Sequence, residues 1–293
     1  LKRLHKHKKN VDSKFNFFEI NLLDNSLEKI FEQFHFNIVI NLAAQAGVRN
    51  SIENPKRFID TNLVGFHNIL FLSVKFKIEH FVYASSSSVY GGNTKLPFTE
   101  NQNVSHPVSL YAATKKSNEL IAHSYSHIYK IPTTALRFFT VYGPWGRPDM
   151  APMLFIKSII KKDPIKVFNN GNMSRDFTYI DDIAKAIVKC SLKPATSDLD
   201  FDSDNPNPST SLSPFRIFNI GNSKPVKLLD FIECLEKHLG IKAIKDFKEL
   251  QIGDVVNTSA NTNRLESWIN YKPNTSLDEG IERFVNWYKY YFN

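Results

Sequence analysis

Apolar residues recur along this chain in two rhythms. Short, mostly apolar runs occur at Phe36–Leu42, Phe81–Ala84, Thr133–Phe139 and Arg216–Ile220, a pattern of strands buried on both faces of a parallel sheet. A weaker strand-like stretch covers Lys14–Ile20. Between these runs the spacing becomes helical. Helices are predicted over 26–34, from Pro55 onward, from Ser109 onward, over 183–191, over 226–239 and over 278–291. Gly240 reads as a C-cap, and Asp181 or Asp182 as the N-cap of the helix at 183–191. The helix from Pro55 carries Phe58, Ile59, Leu63, Phe66, Ile69, Leu70 and Leu72, too many for one stripe. It is expected to bury two faces, one on the sheet and one on a partner. The helix from Ser109 has a similarly broad stripe, with Leu120, Ile121, Tyr125 and Ile128. The C-terminal helix places Ile281, Phe284, Val285, Tyr288 and Tyr291 on one core-facing stripe.

Alternating strands and helices predict an α/β fold with a parallel sheet. The chain becomes rich in Pro, Gly and Trp between Thr140 and Pro152, and a domain boundary is expected there. Residues 1–143 would form the first domain and 144–293 a smaller second part, with segments near 174–192 and 215–221 returning to the first. Residues 194–214, rich in Ser, Asp, Asn and Pro, read as a mobile surface loop.

Composition narrows the classes. The chain has 293 residues, 42% hydrophobic and 23% charged, as a soluble globular protein would have. No apolar run approaches the ~18 residues of a membrane span, so no membrane association is expected. The net charge is +8, much of it in the first nine positions, and the remainder suits an anionic ligand. There is no metal-ligand spacing and no RNA-binding aromatic motif, so neither a metal nor a nucleic acid is expected. Cys190 and Cys234 both fall in helical patterns. They read as buried structural thiols in a reducing compartment, and a cytoplasmic location is expected.

The chemistry concentrates on the helix from Ser109. Tyr111 and Lys115 are four residues apart and share one helical face. An ammonium beside a phenol favours the phenolate, so Lys115 is expected to lower the Tyr111 pKa and make it a general base. Ser85 to Ser88 follow the strand Phe81–Ala84 at its carboxyl end, where ligands bind in open α/β sheets. A serine there and the Tyr–Lys pair could converge on one substrate hydroxyl. By itself, Tyr four residues before Lys is common, and each serine could equally be a cap or turn residue. Asn41–Gly47 closes the strand Phe36–Leu42 with small residues. These would let a ligand approach the backbone, or would simply make a tight packing turn.

Three motifs carry a more specific signal: SSSSVYG at 85–91, HPVSLYAATKKSNEL at 106–120 and LRFFTVYGPWGRPDM at 136–150. Together they resemble the extended short-chain dehydrogenase/reductase family, in its NAD-dependent epimerase/dehydratase branch. The resemblance runs over nearly the whole chain. It implies a Rossmann-type doubly wound parallel sheet with a smaller C-terminal substrate-binding domain, and NAD as cofactor. It implies a nucleotide-sugar 4-epimerase that takes a hydride from sugar carbon 4 and returns it to the other face. UDP-glucuronate is the expected substrate, with a neutral UDP-hexose as the alternative. By resemblance, Tyr111, Lys115 and Ser86 are catalytic. Leu42, Ala43, Ala44, Gln45, Asn62, Ser85, Tyr111, Lys115 and Phe138 face the cofactor. For Asn62, the cap of a neighbouring loop is an equal alternative. Arg49, Ser87, Ser88, Thr140, Arg147, Arg175 and Asp254 hold the substrate, although each Arg could also be a plain exposed residue. Family members dimerise through helices that correspond to 55–72 and 109–129, so a homodimer is expected.

Two departures from the family pattern stand out. Dehydratases and decarboxylases of the family carry carboxylates where Ser87 and Ser88 stand, so epimerisation is expected over elimination. The opening strand, glycine-rich phosphate loop and ribose-binding Asp of the family have no counterpart here. The chain therefore reads as lacking the first βα unit and the next strand. By itself it is expected to hold no NAD and to be inactive, or to be a non-catalytic UDP-sugar-binding remnant.

Overall fold

A computed structural model describes residues 15–251 and 255–292. Its main sheet is parallel, in the order β1 (Ile38–Asn41), β2 (His80–Ser86), β3 (Thr133–Phe138) and β7 (Phe215–Ile220). The register aligns Asn41 with Tyr83, and Ser86 with Phe138 and Ile220, so all four carboxyl ends open on one side. Alternate side chains feed different cores. Phe81 and Tyr83 pack with Phe66, Leu70, Ala122 and Ile217 on one face. Val82, Leu136, Ile183, Cys190 and Phe218 pack together on the other. Both faces are covered by helices, the arrangement of a doubly wound α/β fold.

One covering layer begins with α1 (Leu27–Phe34), which buries Phe31 and stops at His35 in the left-handed conformation. It continues with α2 (Val48–Glu53), α3 (Pro55–Ile59) and α4 (Phe66–Lys75), followed by α5 (Leu110–Tyr129). Asp60–Gly65, between α3 and α4, is one turn of π-helix. Such wide turns mark functional sites often enough to be worth noting. On the opposite face lie α7 (Ile180–Ser191) and α9 (Asn263–Ile269).

A second lobe is built from β4 (Thr140–Tyr142), β6 (Ser174–Tyr179) and β8 (Pro225–Lys227), and from the pair β5 (Ile165–Phe168) and β9 (Lys245–Lys248). Helices α6 (Ala151–Lys161), α8 (Leu228–Leu239) and α10 (Leu277–Phe292) share one core with these strands. Phe177 and Phe231 stack there with ring centroids 4.2 Å apart. Gly280 is obligatory in α10, because an added Cβ would lie 2.0 Å from the Tyr142 hydroxyl.

Several expectations need correction. Phe15–Ile20 forms no strand and pairs with no sheet among the described residues. Helix α7 starts at Ile180, so Asp181 and Asp182 are not its N-cap. Asp182 instead accepts hydrogen bonds from the Tyr271 hydroxyl and from the Asn274 and Thr275 amides, which pins the turn before α10. The stretch 194–214 is not simply a solvated loop. Ser209, Thr210, Ser211 and Ser213 are buried, and the Ser209 carbonyl accepts the Ile217 amide. Lys227 precedes α8, and Pro225–Lys227 is a strand antiparallel to β6. Cys190 is buried but Cys234 is only half-buried, and Tyr291 is exposed at the end of its stripe.

Candidate active site

The carboxyl ends of β1 and β2, the first turn of α5 and the turn after β4 converge on one place. Ser109 caps α5, its hydroxyl accepting the Ala112 amide at 3.1 Å, and that fixes the turn that carries Tyr111. The Tyr111 ring meets the buried Phe58 edge-on, centroids 6.2 Å apart. The Ser86 hydroxyl lies near enough to the phenol to favour its ionised form. Lys115 is buried one turn further on and donates to the Ala84 carbonyl at 2.8 Å. Tyr111, Lys115 and Ser86 are therefore brought together, as expected.

Their electrostatics differ from expectation. Burial raises the Tyr111 pKa above that of an ordinary phenol, and the Ser86 hydroxyl and the Arg147 charge only pull it partly back. Lys115 is not what lowers it, because its ammonium is turned to the Ala84 carbonyl. Burial depresses Lys115 itself to about 8. The phenol therefore needs a further positive charge beside it before it can serve as a base near neutrality.

Strand alternation sorts the serines. Ser85 and Ser86 point to opposite faces of β2. The Ser85 hydroxyl donates to Glu119 at 2.7 Å, so its side chain is engaged in the interior. Ser86 faces Tyr111, and also accepts the Ser88 amide as the cap of the 3-10 turn Ser87–Tyr90. Ser87 and Ser88 are half-buried in that turn. Phe138, at the end of β3, packs against the core that contains Leu136 and Phe218.

The cofactor-side residues after β1 are held from behind. Asn62, on the π-helical turn, accepts the Gln45 amide at 2.8 Å and donates to the Gln45 carbonyl at 3.0 Å. It also donates to Thr114 of α5 at 3.1 Å. It acts as a brace between this segment and the catalytic helix, the second of the two readings above. The Ala43 amide donates to Asn41. Leu42 is exposed, with small residues at Ala43, Ala44, Ala46 and Gly47 after it. This backbone ledge, beside a buried lysine with donors to spare, fits the nicotinamide half of a dinucleotide.

Arg147 donates to both Asp149 oxygens, at 3.1 and 2.5 Å, and reaches the Ala46 carbonyl at 3.4 Å. It lies over Gly47, whose φ of 109° and 3.3 Å clearance to the Arg147 guanidinium favour glycine. Arg175 donates to the Ser174 and Val256 carbonyls from β6. Arg49 is exposed and stacks over Phe168, 5.1 Å from its ring centre. Thr140 begins β4. Asp254 lies outside the described residues.

Behind the site lies a network that the sequence reading missed. Arg137 on β3 forms a two-pronged ion pair with Glu119 of α5, at 2.8 and 2.9 Å, and also donates to the Tyr90 hydroxyl. Tyr90 donates to Asn219 of β7 at 2.6 Å. Burial alone would raise Glu119, but Arg137 holds its carboxyl below the ordinary carboxylate value. A signal was present: an arginine inside the apolar run 133–139 requires a buried partner.

Comparison with known proteins gives a consistent picture. Residues 1–201 match the model of the "NAD dependent epimerase/dehydratase family". Protein CapI of Staphylococcus aureus is 52% identical over 279 residues, covering 95% of this chain and 84% of that protein. The "Probable UDP-glucuronate 4-epimerase" of Rhizobium meliloti is 47% identical over 264 residues, covering 90% of this chain and 77% of that one. Among solved structures, the UDP-glucuronic acid 4-epimerase of Bacillus cereus, in complex with UDP-glucuronic acid and NAD, superposes with a TM-score of 0.83. It is 30% identical and covers 99% of this chain and 86% of that chain.

Proposed function

Because this chain belongs to the NAD dependent epimerase/dehydratase family, we propose that it interconverts UDP-glucuronate and UDP-galacturonate. It is an NAD-dependent isomerase, as its relatives are, and UDP-sugar 4-epimerisation is the activity they share. The similarity to UDP-glucuronate 4-epimerases supports the finer reading, and a local observation supports epimerisation over elimination. The Tyr111 phenol is served by Ser86, and the two positions that follow are serines, with no carboxylate to take a proton from carbon 5.

NAD, when bound, supplies the hydride acceptor and a positive charge near the buried phenol. Tyr111 takes the proton of the substrate's 4-hydroxyl and later returns it. Ser86 bridges phenol and hydroxyl. Lys115, with donors beyond the one given to Ala84, holds the nicotinamide ribose. Asn62 keeps the 43–46 ledge at a fixed height against α5. Ser87, Ser88, Thr140, Arg49, Arg147 and Arg175 are the groups available for the sugar acid and diphosphate. Residues 1–143 would carry the cofactor and 144–293 most of the substrate contacts, with α7 and 215–221 packing on the first part while β6 belongs to the second lobe. The reading also includes a homodimer packed through 55–72 and 109–129, and a cytoplasmic setting where nucleotide sugars and free thiols coexist.

A neutral UDP-hexose is the second reading, favoured by one fact. Both prongs of Arg147 are engaged by Asp149, which offsets the charge that would attract a sugar carboxylate. Incubation of the purified chain with NAD and either UDP-glucuronate or UDP-glucose, followed by separation of the sugar nucleotides, decides between them. UDP-galacturonate is the expected product of protein that holds NAD; where the chain by itself holds none, the assay uses the chain extended by an N-terminal βαβ segment that carries the phosphate loop. Conversion of UDP-glucose alone would establish the second reading. No conversion of either by protein with NAD bound would overturn 4-epimerisation.

A further inference from the structure

Helices α8 and α10 pack together in the second lobe, and three side chains meet at their junction. Cys234 and His238 are four residues apart on α8, hence on one face. Asp278 comes from the first turn of α10. The Cys234 sulfur is 3.8 Å from Asp278 Oδ1, His238 Nε2 is 2.9 Å from the same oxygen, and all three ligand atoms lie within 4.8 Å of one another. We propose that Cys234, His238 and Asp278 form a zinc-binding site, with water as the fourth ligand, that ties α10 to α8.

The donor set and spacing support this. Zinc takes thiolate, imidazole and carboxylate ligands at about 2.0–2.3 Å in a tetrahedron, which puts ligand atoms about 3.3–3.7 Å apart. The sulfur–oxygen separation already matches to about 0.2 Å. The imidazole–carboxylate pair has to open by about half an ångström, and Asp278 is exposed enough to turn. On ligation the thiol loses its proton to solvent, and His238 binds through a neutral Nε2. The site lies outside the Tyr111 machinery and within the second lobe's core elements.

One group competes. The Lys237 ammonium sits 2.7 Å from Asp278 Oδ1. Its side chain is 65% exposed, so it can swing into water when a cation takes the oxygen. An ion pair explains why Asp278 faces Lys237 and His238. The thiol and the imidazole converge on the same oxygen, so a single cation there would meet all three ligand types in place of their protons.

Cobalt(II) titration of the full chain tests the proposal, since cobalt replaces zinc and reports thiolate ligation by a charge-transfer band in the near ultraviolet. The expected result is a band saturating at one cobalt per chain and erased by zinc. Cys234→Ser should remove the band and weaken zinc binding by at least ~100-fold, the upper end for changes one shell further out. Cys190→Ala, folded by circular dichroism, should keep it. Lys237→Met should tighten zinc binding by removing the competing cation. Absence of the band in the unaltered chain at saturating cobalt, or its survival in Cys234→Ser, would overturn the site.

Discussion

Tyr111 owes its position to packing and its reactivity to what surrounds the hydroxyl, and the two can be separated. Tyr111→Phe keeps the ring against Phe58 and removes only the group that Ser86 serves. Turnover should fall at least ~100-fold, the low end for a general acid–base, with KM little changed. Near-normal turnover would remove Tyr111 from the mechanism. The Tyr–Lys pair was legible because helical spacing alone puts the two on one face. What Lys115 does there was not, because spacing says nothing of where an ammonium finds its acceptor or of how burial acts on a phenol. The choice among four consecutive serines likewise waits on the phase of β2, which turns Ser85 inward and Ser86 toward Tyr111.

Helix α5 joins chemistry to scaffold. Lys115 faces the site, and one turn later Glu119 is locked to Arg137 of β3. Glu119→Gln leaves a buried guanidinium without its counter-charge, which costs about 3–5 kcal/mol. Denaturant unfolding should show a loss of that size, and Glu119→Gln combined with Arg137→Met should recover much of it. A loss below about 1 kcal/mol would mean that the pair is dispensable. The long strands and helices were readable from apolar rhythm. The strands of three or four residues in the second lobe were not, because a run that short has no period to detect. The π-helical turn at Asp60–Gly65 was hidden too, since its register follows from Asn62 reaching Gln45 and Thr114.

At the scale of the molecule, the outer faces of α4 and α5 remain apolar. Phe71 is 50% exposed, Leu120 61% and Ile128 64%. His67 and Tyr125 join the two helices through a 2.7 Å hydrogen bond, so they present one continuous surface. If that surface is the dimer interface, Leu120→Glu should shift the protein to monomer in sedimentation velocity, with its circular dichroism unchanged. A dimer that survives the change would place the interface elsewhere. The breadth of both stripes permitted this expectation, which came from the family resemblance. The alternation of runs likewise disclosed the parallel sheet, whereas the buried serines at 209–213 show how little composition says about a segment that hydrogen-bonds along a sheet edge.

The Glu119–Arg137 lock also restricts how this chain can diverge. Neither residue can drift alone, because the intermediate sequence would forfeit about a fifth or more of a typical domain's 5–15 kcal/mol of stability. Two codons eighteen positions apart are thus inherited as one unit, and descendants should carry both residues or have exchanged both.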